Sequence, residues 1–122
     1  MDVYKFKDYR DFLKQLVSKQ KASSRPFSYQ KFALKLGVSK SYLRLIVEKK
    51  SHASLDRIFE IGQFFKLSTY ELQFFVFLFL SNTSNRKTSR DFFNSILAGY
   101  RVSKTETLLQ LQTPQKNRAA YR

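Results

Sequence analysis

The chain has 122 residues, with 23 Lys+Arg against 9 Asp+Glu and a formal net charge of +14. Its 13 Phe and 7 Tyr give it too much aromatic weight for a disordered polycation. The length suits one domain that buries about two-thirds of its unfolded surface. Three Gly, two Pro, one His and no Cys exclude collagen-like chains, disulfide frameworks, thiolate metal sites and Cys nucleophiles.

The absence of Cys fits a reducing cytoplasm, the expected location. The charge excess points to a polyanionic partner, nucleic acid before an acidic membrane. Residues 1–8 are too polar for the apolar part of a secretory signal. The longest apolar run, 74–80, has seven residues, whereas a spanning helix needs about 20. No membrane span is expected.

In chain order, Tyr9, Phe12, Leu13, Leu16 and Val17 recur at i, i+3, i+4, i+7 and i+8, one stripe of an amphipathic helix. A polar segment ending at Pro26 follows. Ser28 can cap a second, short helix with Phe32, Ala33 and Leu36 inward, and Gly37 is a left-handed stop. Ser39 can cap a third helix over 40–50, with Leu43, Ile46 and Val47 inward. Ser54 opens a fourth, whose stripe is Leu55, Ile58, Phe59, Gly62 and Phe65. Ser68-Thr69-Tyr70-Glu71 is a capping box, and a very apolar fifth helix follows it. Residues 81–89 read as a linker. Beyond it, Phe92, Phe93, Ile96 and Leu97 mark another helix, and a second capping box at Ser103-Lys104-Thr105-Glu106 precedes Leu108, Leu109 and Leu111. Pro114 stops that pattern. No alternating strand pattern and no internal repeat is present. The fold class is all-α.

A short amphipathic helix, a tight Gly37-Val38-Ser39 turn and a second short helix form a helix-turn-helix arrangement. Lys40, Ser41 and Arg44 are left outside near the start of the third helix. In this motif that part enters the DNA major groove, where Lys and Arg donate to guanine O6 and N7.

Residues 28–44, from Ser28-Tyr29-Gln30-Lys31 through Leu36-Gly37-Val38-Ser39 to Lys40-Ser41-Tyr42-Leu43-Arg44, resemble the lambda-repressor-like (Cro/repressor-type) helix-turn-helix family. The likeness continues through Ser54-Leu55-Asp56-Arg57-Ile58 and Leu67-Ser68-Thr69-Tyr70-Glu71-Leu72. Asp8-Tyr9-Arg10-Asp11-Phe12-Leu13 and Phe27-Ser28-Tyr29 also resemble a bacterial paralogous helix-turn-helix family whose C-terminal half is poorly characterised, which would make this chain a short form.

That resemblance implies a compact five-helix domain, over 1–80; the sequence pattern adds the linker at 81–89, a helical extension at 90–112 that covers the fifth helix within one chain or across a dimer, and a basic disordered tail at 113–122. It implies Lys40, Ser41, Arg44 and Leu45 as base-reading residues, with Leu45 either meeting a thymine methyl or packing. Tyr29, Gln30, Lys31, Tyr42, Lys49, Lys50 and His52 are the candidates for the DNA backbone. Many relatives have Gly, a helix stop, where Lys49 stands, so the end of this helix is open.

Duller readings stand beside these. His52 can be a plain loop residue, and Tyr42 can pack on the domain. Phe74, Phe75, Phe77, Leu78 and Phe79 surround their helix too completely for one buried stripe. Either that helix is central, or its outer face meets another chain. Phe74, Phe75, Phe77, Leu78, Phe92, Phe93, Ile96 and Leu97 are therefore the candidate dimer interface. Expected partners are double-stranded DNA and a second copy, with no membrane, no small-molecule ligand and no cofactor. One His, no close carboxylate pair and scattered Gly37, Gly62 and Gly99 supply no catalytic set or phosphate loop, so no enzyme is expected.

Three roles compete: a sequence-specific transcription regulator, a non-specific nucleoid or architectural protein, and a protein-interaction module docking through 74–80. Charge position favours the first two. From Ser18 to Lys50 there are nine basic residues (Lys19, Lys21, Arg25, Lys31, Lys35, Lys40, Arg44, Lys49, Lys50) and one acid, Glu48. From 51 to 85 the net charge is −1, and from Arg86 onward eight basic residues face two acids.

Overall fold

Short polar residues that satisfy free backbone amides decide where these helices begin. The structure, a computed structural model, describes residues 2–21 and 29–111, together with their side chains up to Ser103 apart from Lys21. Within them lie a 3₁₀ turn (Val3–Lys5) and six helices: α1 (Tyr9–Lys21), α2 (Tyr29–Leu36), α3 (Lys40–Val47), α4 (Leu55–Phe64), α5 (Thr69–Thr83) and α6 (Lys87–Leu111). No strand occurs among the described residues, so the chain is all-α. The expected Ser28 cap and the tail after Pro114 lie outside the described residues.

Ser39, Ser54 and Ser68 cap α3, α4 and α5 as the sequence predicts, their side chains accepting from the amides of Tyr42, Arg57 and Glu71. The box at Ser68 is complete, because the Glu71 carboxylate returns to the Ser68 amide at 2.9 Å. At α1 the Asp8 carboxylate accepts from the Arg10 amide at 2.8 Å, the N-cap pattern.

Three helices also end alike. Gly37, Lys49 and Lys66 follow α2, α3 and α4 with φ of 71°, 63° and 56°. In each case the next amide reaches back to a carbonyl five residues earlier: Val38 to Ala33, Lys50 to Leu45 and Leu67 to Gly62. This is the Schellman pattern. Nothing lies within 4 Å of where a Gly37 side chain would start, so backbone conformation alone asks for glycine there. The third helix therefore stops at Val47 rather than 50, by a glycine-type ending built on a lysine.

α5 is central. Phe74 and Phe75 are fully buried, with Leu78 and Phe79 nearly so. α1, α4 and the 3₁₀ turn pack on α5, and α6 covers it from the other side. Phe12 and Tyr9 meet Phe75 and Phe79 edge-on, while Tyr4 does the same to Phe74. At Gly62 the Leu72 methyl sits where a side chain would begin, so α4 and α5 approach closely.

Four expectations change. The 81–89 linker is mostly helix, because α5 runs to Thr83 and α6 starts at Lys87. Its residues are tied down: Asn82 accepts from the Tyr9 amide and donates to the Lys7 carbonyl, and the Ser81 hydroxyl donates to Asn94. The capping box at Ser103 caps nothing, since α6 passes through it; a cap needs an extended residue before the helix, and Ser103 is already helical. The buried row of α4 is Ile58, Ile61 and Gly62, with Phe65 partly covered. Leu55 and Phe59 stay 40% and 42% exposed, the first overhanging the helix start and the second one position off the row. Phe74, Phe75, Leu78 and Leu97 are core within one chain, so they form no dimer interface. Phe77, Phe93 and Ile96 are half-covered by the α5–α6 packing, and only Phe92 of that set is exposed.

A lysine in the left-handed region is strained relative to glycine by about 1–2 kcal/mol, partly offset by glycine's greater freedom when unfolded. Lys66→Gly should therefore stabilise the fold by about 0.5–1 kcal/mol, read as a higher urea midpoint at unchanged slope.

Candidate nucleic-acid interface

α3 presents two faces because its apolar residues fall on one side of an eight-residue helix. Leu43 and Ile46 are fully buried, and Val47 packs partly against the same core. Lys40, Ser41, Arg44 and Leu45 all lie exposed on the other side, so the four expected base-reading residues share one outward face. Leu45 is 43% exposed, open to an apolar contact. Both helix ends are fixed, by the Ser39 cap and by the Lys49–Lys50 closure, which makes this face a defined surface.

The preceding α2 brings Gln30 and Lys31 to the surface and leaves Tyr29 half-buried. Burial raises the Tyr29 phenol above its ordinary value; the Arg44 charge opposes this, and Glu48 adds to it. Tyr29 thus sits within electrostatic reach of Arg44, which links the start of α2 to the α3 face. Tyr42 is half-buried and packs against the core. Arg57 fixes α2 from below, donating to the Leu36 carbonyl at 2.6 Å while pairing with Glu60 at 2.9 Å.

The loop after α3 is held by α1. The Tyr9 ring is fully buried, yet its hydroxyl accepts the Ala53 amide at 2.9 Å and lies 2.9 Å from His52 Nδ1. With the Ala53 amide donating, the hydroxyl proton is free to point at Nδ1. His52 also stacks on the Tyr9 ring. Burial pushes the Tyr9 phenol up, countered by the Ala53 hydrogen bond. Beside it, Arg10 donates to the Ser51 carbonyl at 3.4 Å and grips Asp8 through Nε and a terminal nitrogen at 3.2 and 3.1 Å. Burial opposes ionisation of Asp8, but the Arg10 hydrogen bonds and charge, with Lys49 nearby, hold its carboxyl below the usual carboxylate range.

The three loop candidates for the DNA backbone differ in consequence. Lys50 is well exposed and pairs loosely with Glu48 at 3.4 Å. Lys49 is bound to Asp11 at 3.0 Å and lies 4.0 Å from Asp8. His52 is exposed, but its Nδ1 is engaged by Tyr9.

Tyr9, Asp8, Arg10 and Arg57 form the support that sequence reasoning missed, and the half-exposed Lys49–Asp11 pair beside them was not foreseen either. Only Asp8 carried a signal, an Asp just before an apolar helical stripe. Two clefts, about 310 and 540 Å³, lie beside the end of α1, lined by Lys19, Gln20, Lys35 and Lys66 among others, and neither includes α3. Among the described residues no group of three or more His, Asp or Glu is placed to hold a metal ion, and no helix is long and apolar enough to cross a membrane.

Comparison with protein-family models, curated proteins and solved structures finds no match to this chain.

Tyr9→Phe keeps the ring but strands the Ala53 amide, a loss of about 1–3 kcal/mol in urea unfolding. Asp8, with its native pKa lowered, contributes stability that is fully present above its unfolded value, near 4. That contribution fades as pH falls through the lower native value. The stability difference between wild type and Asp8→Asn should therefore shrink on acidification from pH 6 to pH 3.

Proposed function

We propose that this chain binds double-stranded DNA by laying α3 in the major groove, as the lambda-repressor-like helix-turn-helix resemblance implies. The observation that carries the reading is the α3 face: Lys40, Ser41, Arg44 and Leu45 exposed together on a helix whose opposite side is core. Such a face offers guanidinium and ammonium donors to guanine, hydroxyl groups to several bases and an apolar contact to thymine. Gln30, Lys31 and Lys50 flank it as phosphate contacts that set register without reading sequence. The nine-to-one basic excess over 18–50 supplies the long-range attraction.

The role is that of a sequence-specific transcription regulator in the cytoplasm, acting at the nucleoid. A homodimer on paired half-sites is the expected assembly. The interaction-module alternative loses its surface, because most of 74–80 is packed inside the chain. A non-specific architectural role is the remaining competitor. Selection on random duplex DNA separates the two: a regulator enriches one motif, and a coating protein enriches none.

Arg44→Ala should cost about 1–3 kcal/mol on a selected site and relax preference at one base. Lys50→Ala should weaken every sequence alike and reduce the slope of log K against log salt by about 1. Anisotropy titrations at several salt concentrations check both; salt-insensitive binding, or none, would sink the reading.

A further inference from the structure

Lys49 combines a fixed backbone with an anionic partner of its own. Its left-handed φ of 63° is imposed by the hydrogen bonds that close α3, so the helix end sets the direction in which the side chain leaves. Its ammonium lies 3.0 Å from both oxygens of Asp11 and 4.0 Å from Asp8 Oδ2. The two acids are not equivalent. Asp8 is committed, accepting from the Arg10 amide and from two nitrogens of its guanidinium. Among the described residues, Asp11 has Lys49 as its ion-pair partner.

The side chains of Lys49 and Asp11 are 45% and 46% exposed, so water and salt compete with their pairing. The pair is therefore exchangeable rather than structural. It also stands at the loop that follows the α3 face, where a duplex docked on α3 would bring its phosphates. Lys40 and Arg44, by contrast, make no ion pair among the described residues.

We infer that Asp11 is an internal stand-in for a DNA phosphate, holding the Lys49 ammonium in the free protein and releasing it to the backbone when duplex docks. This rests on the DNA-binding reading above. Exchange of one anion for another returns little from that contact, whereas the contacts of Lys40 and Arg44 are gained outright. Asp11 thereby lowers affinity for DNA of every sequence alike and leaves the ratio between sequences to α3. The carboxylate is an affinity-setting group placed beside the basic surface, and its effect passes through Lys49.

A double-mutant cycle tests this. Wild type, Asp11→Asn, Lys49→Gly (a residue suited to the left-handed backbone) and the double variant are titrated against a random-sequence duplex by anisotropy over a salt series. Thermal melts verify that all four are folded. Asp11→Asn should tighten binding by about 3–10-fold at low salt, with the gain shrinking as salt screens the charge. In the Lys49→Gly background the same change should alter affinity less than about 2-fold. Equal tightening in both backgrounds, or weaker binding by Asp11→Asn, overturns the inference while leaving the DNA-binding reading in place. Failure of the wild type to bind any duplex overturns both.

Discussion

The arrangement depends on one buried phenol. Tyr9 places its ring against Phe75 and Phe79 of α5, and its hydroxyl takes the Ala53 amide while engaging His52. A buried hydroxyl without partners would cost more than its burial gains, so the site exists only if the loop after α3 runs where it does. The same residue is held at its own amide by Asn82 at the end of α5. Three segments distant in sequence thus meet at one side chain. Since that loop begins where α3 closes, the orientation of the α3 outer face is set from α1.

Charge serves two purposes in the described chain. Around α3 it is mostly left on the surface. Past α5 part of it is used internally. Arg101 donates to the carbonyls of Tyr4 and Phe6 at 2.9 and 3.0 Å, with its guanidinium over the Phe74 ring. Arg90 donates to the Ser84 carbonyl, and Lys87 pairs with Asp91. The C-terminal concentration of positive charge therefore belongs in part to the fold: Arg101 fastens the 3₁₀ turn and Arg90 the α5–α6 connection.

What the sequence made legible was local. Ser39, Ser54 and Ser68 each precede an apolar periodic run, and Gly37 sits between two such runs, so caps and turn follow from spacing alone. The outward set Lys40, Ser41, Arg44 and Leu45 was equally readable, because a helix with Leu43 and Ile46 inside has one other side. What failed was non-local. Nothing at 81–89 (Ser-Asn-Thr-Ser-Asn-Arg-Lys-Thr-Ser) shows that Asn82 will cap a helix 73 residues earlier, so its polar composition read as linker. Likewise Ser103-x-x-Glu106 meets the capping pattern, yet the pattern cannot show that the chain arrives already helical. The aromatic surplus of α5 left burial and dimerisation open, and α6 resolved it within one chain. Lys49 and Asp11 lie 38 residues apart, beyond the reach of any spacing argument.

These contacts divide the molecule energetically. Its core is built from apolar and aromatic packing, where truncating one Phe costs about 3–5 kcal/mol. Its exposed ion pairs, such as Lys50–Glu48 and Lys87–Asp91, are of the kind worth about 0–1 kcal/mol each. Stability is thus carried by groups that salt barely affects, and the surface cations around α3 are left free to change partners. A protein whose fold rested on its surface charges would have to loosen when a polyanion claimed them. Here α3 is braced by Tyr9, Arg57 and the Ser39 cap, with the Asp8–Arg10 and Arg57–Glu60 pairs built into that support. The remaining surface cations can change anionic partners without disturbing that frame.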